Sequence, residues 1–230
     1  MKNTICEATI CEDAAGLGRA ASNWCREKIT QYRARSIFIP AGQTPVALYK
    51  LWQSENPEYL RGLDLLQIDD VMAGSKKGVF RRFFNEHLPS FQKQISPIEH
   101  ADRVADLAIL GLGLNGHVAF HEPGLAPSFF SGCVPLSETT VKNLQLESGT
   151  WGISYGVGAF VQCKAILFMV SGASKRDVLR KFQAADLSLP ASSLLRHSDI
   201  MLLVDREALG KVGYGATTNT SCEPKENEIS

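Results

Sequence analysis

Short apolar segments that alternate with helix-like segments constrain the fold of this chain more than any other feature. Segments this short, bounded by turn residues, predict strands, and the segments between them carry apolar residues at helical spacing. Strands that are apolar on both faces are typical of a parallel sheet covered by helices on both sides. We therefore predict an α/β fold with a doubly wound, mostly parallel sheet. The predicted strands are residues 36–39, 63–68, 106–110, 151–155, 165–170 and 200–204.

The helices and loops are predicted from capping residues and breakers. Helices are expected at about residues 12–32, 44–52 and 77–91, and another begins near Lys175. Thr44 is expected to cap the second helix, with Pro45 at its first position, and Ser174 is expected to cap the last. Residues 122–135 contain three prolines and two glycines, which predicts a loop.

The chain shows neither an internal repeat nor a linker, so we predict one α/β domain over residues 1–212. The last segment, residues 213–230, is rich in Gly, Thr, Asn, Ser, Glu and Lys, which predicts a disordered tail.

Charge and cysteine content restrict the class of partner. The sequence has 24 basic and 24 acidic residues, so it lacks the basic surface of a nucleic-acid or anionic-membrane binder. No apolar run reaches the roughly 18 residues of a membrane span. The six scattered cysteines show no metal-ligand spacing and are typical of reduced cytosolic thiols. We expect a cytoplasmic protein with no metal and no cofactor; a homo-oligomer is compatible with the sequence.

The turn after the first predicted strand is suited to an anion. It reads PAGQTP at residues 40–45, and a helix follows it. Backbone N–H groups at a helix N-terminus, here those of Gly42, Gln43 and Thr44, bind phosphate well. A tight connection without a ligand is the alternative, and the pattern alone favours it.

Two carboxylates, Asp69 and Asp70, follow the second predicted strand. A carboxylate at the carboxyl end of a buried strand can act as a general base, especially when partial burial raises its pKa. A turn-forming or helix-capping Asp is the more common role.

The segment GLGLNGHVAFHEPG, residues 111–124, matches the glycine pattern of dinucleotide sites. That pattern requires a long helix after the glycines, and Pro123 excludes one here. We therefore predict a Rossmann-like topology without a dinucleotide site. The remaining interpretation is a rigid turn in which His117 and Glu122 form an oriented acid–base pair, with Asn115 beside them. A surface His next to a capping Glu is the alternative.

Two further residues, Ser154 and Lys175, are candidates by their position. Ser154 lies in GISYG, a match to the nucleophile elbow of hydrolases, but the preceding segment is polar and Ser154 is expected to lie within a strand. Lys175 follows a strand, where its ammonium can reach a phosphate. A solvated cation is the ordinary alternative.

In order and spacing, these motifs resemble the glucosamine-6-phosphate deaminase family, which includes galactosamine-6-phosphate isomerases and is related to 6-phosphogluconolactonases. The resemblance covers about residues 37–205 and is carried by PAGQTPVALYKL, LLQIDD, DLAILGLGLNGHVAFHEPG, GISYGVGAF and AILFMVSGASK. It implies a doubly wound α/β domain that acts on a hexosamine 6-phosphate, of the glucosamine or galactosamine type.

The resemblance also implies roles for residues that match the motifs. His117 would assist ring opening, Asp69 would move a proton between C2 and C1, and Glu122 would orient His117. The phosphate would bind to Lys175 and to the backbone of Gly42, Gln43 and Thr44.

This chain departs from the family pattern at several positions. Asn115 replaces the usual Asp, as in relatives that resemble galactosamine-6-phosphate enzymes, and His121 replaces Asn. An Arg expected near residues 142–145 is absent, and Lys142 is a candidate substitute. Two alternatives remain open: a 6-phosphogluconolactonase, and a sugar-phosphate-binding protein without catalysis. Glu122 in the HEPG segment favours the isomerase over the lactonase.

Overall fold

The computed structural model describes residues 8–99 and 102–210. The predicted tail and both ends of the predicted domain lie outside these ranges. The strands described are β1 (Ala8–Cys11), β2 (Ser36–Ile39), β3 (Asp64–Gln67), β4 (Asp69–Val71), β5 (Ile95–Ser96), β6 (Leu107–Gly111), β7 (Ser131–Pro135), β8 (Trp151–Tyr155), β9 (Ala165–Val170) and β10 (Ile200–Asp205). The α-helices are α1 (Ala14–Tyr32), α2 (Val46–Glu55), α3 (Val79–His87), α4 (Glu138–Leu144), α5 (Val157–Phe160), α6 (Arg176–Gln183) and α7 (Arg206–Leu209).

Seven strands form a parallel sheet in the order β1-β10-β9-β6-β2-β3-β5. The chain moves outward from β2 through β3 to β5, and then returns to place β6 on the other side of β2. This reversal confirms the predicted doubly wound fold. Open sheets of this kind bind ligands beyond the carboxyl ends of the strands where the order reverses.

Alternate residues of each central strand pack into two different cores. Ile37 and Ile39 of β2 face a core that contains Trp24, Tyr49 and Trp52 of α1 and α2. Phe38, between them, faces a second core on the opposite side of the sheet, with α5 and α6. Both faces are buried because successive strand residues point to opposite sides. This is why the strands read as continuous apolar segments.

A second, antiparallel sheet, ordered β4-β8-β7, was not predicted. The prediction of a loop at residues 122–135 is wrong at its C-terminal end, because Ser131–Pro135 forms strand β7, which pairs with β8. This strand was not predicted because it contains Gly132 and Pro135, two residue types that are typical of loops. A proline is tolerated here because β7 is an edge strand, where one side of the backbone needs no partner.

Two predicted helix caps are also wrong. The first helical residue of α2 is Val46, and Pro45 precedes it without any side-chain cap from Thr44. The helix α6 begins at Arg176 after a 3₁₀ turn at Ala173–Lys175, so Ser174 does not cap it. Further 3₁₀ turns lie at Glu58–Leu60, Pro89–Phe91 and Pro190–Arg196. Within the described ranges, none of the helices combines the length and apolarity needed to cross a membrane.

Candidate active site

The carboxyl ends of β2, β3, β6 and β9 surround a cavity of about 390 Å³. Six of the eight predicted site residues line it: Gly42, Gln43, Thr44, Asp69, His117 and Lys175. The other two, Asn115 and Glu122, lie behind His117 and contact it or each other. The structure therefore brings together all three predicted turns.

The turn between β2 and α2 presents unsatisfied backbone donors to this cavity. Gly42 has φ +111, a conformation that glycine adopts readily, and a Cβ there would meet nothing within 4 Å. Across residues 8–99 and 102–210, the N–H groups of Gly42, Gln43 and Thr44 donate to no protein acceptor. Since α2 starts immediately afterwards, its dipole adds positive potential to this turn. The arrangement can bind an anion.

Lys175 adds a positive charge to the lining of the same cavity. Its Nζ donates a hydrogen bond to the Leu112 carbonyl oxygen at 2.6 Å, which links the end of β9 to the turn after β6. Burial lowers the pKa of the Lys175 ammonium. A partly buried cation gains from a bound anion, because the anion replaces lost hydration.

The Asp69 side chain is buried but lines the cavity. The residue is 6% exposed, and its carboxyl group makes no hydrogen bond to any residue in the described part of the chain. Burial, and secondly the charge of Asp70, raises the pKa of Asp69 well above its usual range. A carboxylate of raised pKa is a stronger base than an ordinary Asp, so it is better able to accept a proton.

The neighbouring Asp70 has a structural role. Its carboxylate accepts hydrogen bonds from the backbone N–H groups of Val71, Phe80 and Arg81, and from the Gln67 side chain. Gln67 also donates to the Asp69 carbonyl oxygen at 2.8 Å. These bonds join β4 to the N-terminal turn of α3 and fix the backbone that carries Asp69.

The His117 imidazole is held from one side. Its Nδ1 lies 3.5 Å from Oε2 of Glu122 and 3.4 Å from Oγ1 of Thr140. On the other side, a Cβ at Gly113 would lie 2.3 Å from Nε2, so the ring packs directly against that glycine. A carboxylate beside Nδ1 favours the tautomer with the proton on that nitrogen, and Nε2 is then the nitrogen that can exchange a proton with a ligand.

Glu122 is buried at 5% exposure, yet it is held in the charged form. Burial raises its pKa, but hydrogen bonds from His117, Thr140 and Asn115, with the charge of His117, lower it to about 2. The Asn115 Nδ2 donates at 2.8 Å to Oε2. Glu122 is thus a fixed negative charge beneath the imidazole.

The other candidates from the sequence lie outside the cavity lining. His121 is buried, and its Nδ1 accepts from the Val157 N–H at 3.1 Å. Ser154 lies within β8 as expected and bonds to the backbone of Phe120 and Tyr155. Lys142 does not line the cavity, so its ammonium is not placed among the anion-binding groups.

The helix α4, which was not predicted from the sequence, supplies one wall of the cavity through Thr140, Asn143 and Leu144. The sequence feature that indicates α4 is its N-cap, since a Ser before a helical segment predicts a helix start. In the structure the Ser137 side chain accepts a hydrogen bond from the Thr140 N–H. Phe80 of α3 was missed as well, because nothing in the sequence places α3 against the cavity.

The fold and cavity define an α/β protein with a cavity suited to an anion at the switch point of a parallel sheet. The family model described as glucosamine-6-phosphate isomerases/6-phosphogluconolactonase matches residues 76–202, more than half of the chain. The chain belongs to this family.

Two relatives illustrate the similarity in sequence. A glucosamine-6-phosphate deaminase of Exiguobacterium sibiricum is 27% identical, over 91% of this chain and 97% of the relative. One of Leuconostoc citreum is 28% identical, over 80% and 91% respectively.

Two solved structures share the fold. A monomeric glucosamine-6-phosphate deaminase aligns with a TM-score of 0.74 at 24% identity, over 88% of this chain and 98% of that one. A 6-phosphogluconolactonase from Trypanosoma brucei aligns with a TM-score of 0.69 at 19% identity, over 87% and 96%.

Proposed function

We propose that this protein is an aldose–ketose isomerase and deaminase, which converts a hexosamine 6-phosphate to a ketose 6-phosphate and ammonia. One observation carries the proposal: a buried carboxyl group, an oriented imidazole and an anion-binding turn line the same cavity. These are the groups needed for proton transfer next to a sugar carbonyl. The deaminases named above, which align over most of this chain, support the same activity.

In this proposal the phosphate binds to the N–H groups of Gly42, Gln43 and Thr44 and to the Lys175 ammonium. The phosphate fixes one end of the sugar, so C1 and C2 extend toward Asp69 and His117. Binding energy from the distant phosphate then orients the reacting carbons.

His117 opens the pyranose ring. Nε2 takes the proton of the C1 hydroxyl and gives a proton to the ring oxygen O5, while the C1–O5 bond breaks to leave the open aldehyde. The Glu122 charge beneath Nδ1 stabilises the imidazolium form that exists between these two transfers. Asn115 and Thr140 hold Glu122 in place.

Asp69 then moves one proton. Its carboxylate removes the C2 proton, and the electron pair forms a C1–C2 double bond while the C1 oxygen takes up a proton released by the C2 ammonium group, which becomes an amine. Asp69 returns its proton to C1, which leaves an iminium group at C2. Water adds to C2 and ammonia leaves, so one water is consumed for each ammonia released. The raised pKa of Asp69 suits this exchange with carbon.

The test is a side-by-side assay of ammonia release from glucosamine 6-phosphate and galactosamine 6-phosphate. We expect release from at least one, and loss of release in Asp69→Asn. Opening of 6-phosphogluconolactone that survives Glu122→Gln, with no ammonia from either sugar, would instead identify a lactonase. Thermal stabilisation by both hexosamine phosphates without product would identify a binding protein.

We further propose that the enzyme works in the cytoplasm as one domain. Cys25 and Cys163 are buried thiols that form no disulfide, as reducing conditions require. Light scattering on the purified chain measures whether it is a homo-oligomer or, like the relative named above, a monomer.

A further inference from the structure

Thr140 connects a wall of the cavity to the acid–base pair, and the sequence motifs give it no role. It lies in the first turn of α4 and is 2% exposed. The same helix lines the cavity with Asn143 and Leu144. The Ser137 hydroxyl accepts a hydrogen bond from the Thr140 N–H as the N-cap of α4, so the backbone at Thr140 is fixed.

The hydrogen bonds of the Thr140 hydroxyl have one consistent arrangement. A hydroxyl donates once and accepts twice. The Glu122 carboxylate can only accept, so Oγ1 donates to Oε1 of Glu122. The Ser137 hydroxyl, at 3.2 Å, donates to Oγ1. The second acceptor position is then available to the Nδ1–H of His117 at 3.4 Å.

These bonds constrain His117 in two ways. Both carboxylate oxygens of Glu122 are engaged, with Oε1 toward Thr140 and Oε2 toward His117 and Asn115. Oγ1 of Thr140 also lies beside Nδ1 of His117. Two hydrogen-bond acceptors, this oxygen and Oε2 of Glu122, therefore favour a proton on Nδ1. Nε2 is then the proton-free nitrogen, which the proposed ring opening needs.

We propose that Thr140 is a positioning residue: its hydroxyl fixes Glu122 and holds His117 in the Nδ1–H form. Its side chain acts through this pair and not on the substrate. The kinetic part of the proposal rests on the proposed function, whereas the tautomer of His117 does not.

The experiment compares Thr140→Val, which removes the hydroxyl at constant shape, with Thr140→Ser, which keeps it. Thr139→Val is the matched control, because Thr139 is exposed on the same helix. We expect kcat for ammonia release to fall about 10- to 100-fold in Thr140→Val, as loss of a hydrogen bond to a charged group predicts, with KM changed less than about threefold. Thr140→Ser and Thr139→Val should both stay within about threefold of wild type.

The second readout is ¹⁵N NMR of the histidine ring nitrogens, with the His117 signals assigned by their loss in His117→Gln. We expect wild type and Thr140→Ser to show the Nδ1–H form, and Thr140→Val to show a mixture of tautomers. Unchanged tautomer and kcat in Thr140→Val would overturn the proposal. A loss in Thr140→Ser equal to that in Thr140→Val would also overturn it, since packing of the methyl group would then be the cause. If wild type releases no ammonia, the proposed function fails, while the NMR comparison still decides the role of Thr140.

Discussion

Nδ1 of His117 lies 3.5 Å from Oε2 of Glu122, and the carboxylate is itself buried under three hydrogen-bonding side chains. A negative charge with so little access to water is stable only because these partners replace hydration. The imidazole above it therefore has one fixed orientation, with Nε2 directed away from Glu122.

Asp69→Asn should abolish proton transfer and leave binding intact. The amide keeps the shape of the side chain but cannot accept a proton from carbon, so kcat should fall by about 10²- to 10⁴-fold. Calorimetric titration with glucose 6-phosphate should give a similar Kd for both proteins. Asp177→Asn, on the exposed face of α6, is the matched control. Retained activity in Asp69→Asn would show that another group moves the proton.

Gly113→Ala should displace the imidazole. A Cβ at this position would lie 2.3 Å from Nε2 of His117, which no side chain tolerates. Displacement of a catalytic group by about 1 Å costs on the order of 100-fold in kcat. Gly16→Ala, on α1 and outside the cavity lining, controls for the effect of a methyl group alone. Equal kcat in Gly113→Ala and wild type would contradict the proposed role of His117.

Lys175→Met should weaken phosphate binding more than catalysis. Loss of one charged hydrogen-bond donor predicts a rise in KM of about 10- to 100-fold, with a smaller change in kcat. Inorganic phosphate should raise the Tm of wild type and of the control Lys181→Met. It should raise the Tm of Lys175→Met much less. The same Tm rise in all three would place the anion elsewhere.

Glu122 should stabilise the fold above its unfolded pKa. Its pKa is lowered from 4.5 to about 2, so the folded state binds fewer protons than the unfolded state between these values. The stabilisation is therefore fully present above pH 4.5 and is lost as pH falls toward about 2. Glu122→Gln should reduce the free energy of unfolding by up to about 3 kcal/mol at neutral pH, and by less in acid. Urea titrations against exposed Glu86→Gln check this, and a pH-independent difference would refute it.

Asp69 should have the opposite effect on stability. Its pKa is raised above the usual 3.8, so the folded state holds the proton longer than the unfolded state. Wild type should lose stability relative to Asp69→Asn as pH rises from 3.8 through the raised value. Urea titrations from acid to neutral pH measure this difference. A difference that grows in favour of wild type would contradict the burial of this carboxyl group.

Five of the seven strands of the large sheet were predicted because their signals are local, whereas the edge strands β1 and β5 were not predicted. Ser36–Ile39 and Ala165–Val170 have the predicted bounds, since apolar runs between turn residues need no distant information. The antiparallel sheet was missed because β7 is stable only through its pairing with β8. The caps at Thr44 and Ser174 were wrong because side-chain preference is weaker than the geometry of a turn.

The sequence by itself determined the class of fold, and it identified the residues that carry charge at the ends of the strands. Periodicity and turn residues are properties of neighbouring positions, so they can be read along the chain. Only the tertiary structure decided that Asp69, His117 and Lys175 face one cavity, and that Thr140 lies behind the imidazole. Those contacts depend on the order of strands in the sheet and on the placement of α4, which arise from packing between distant segments.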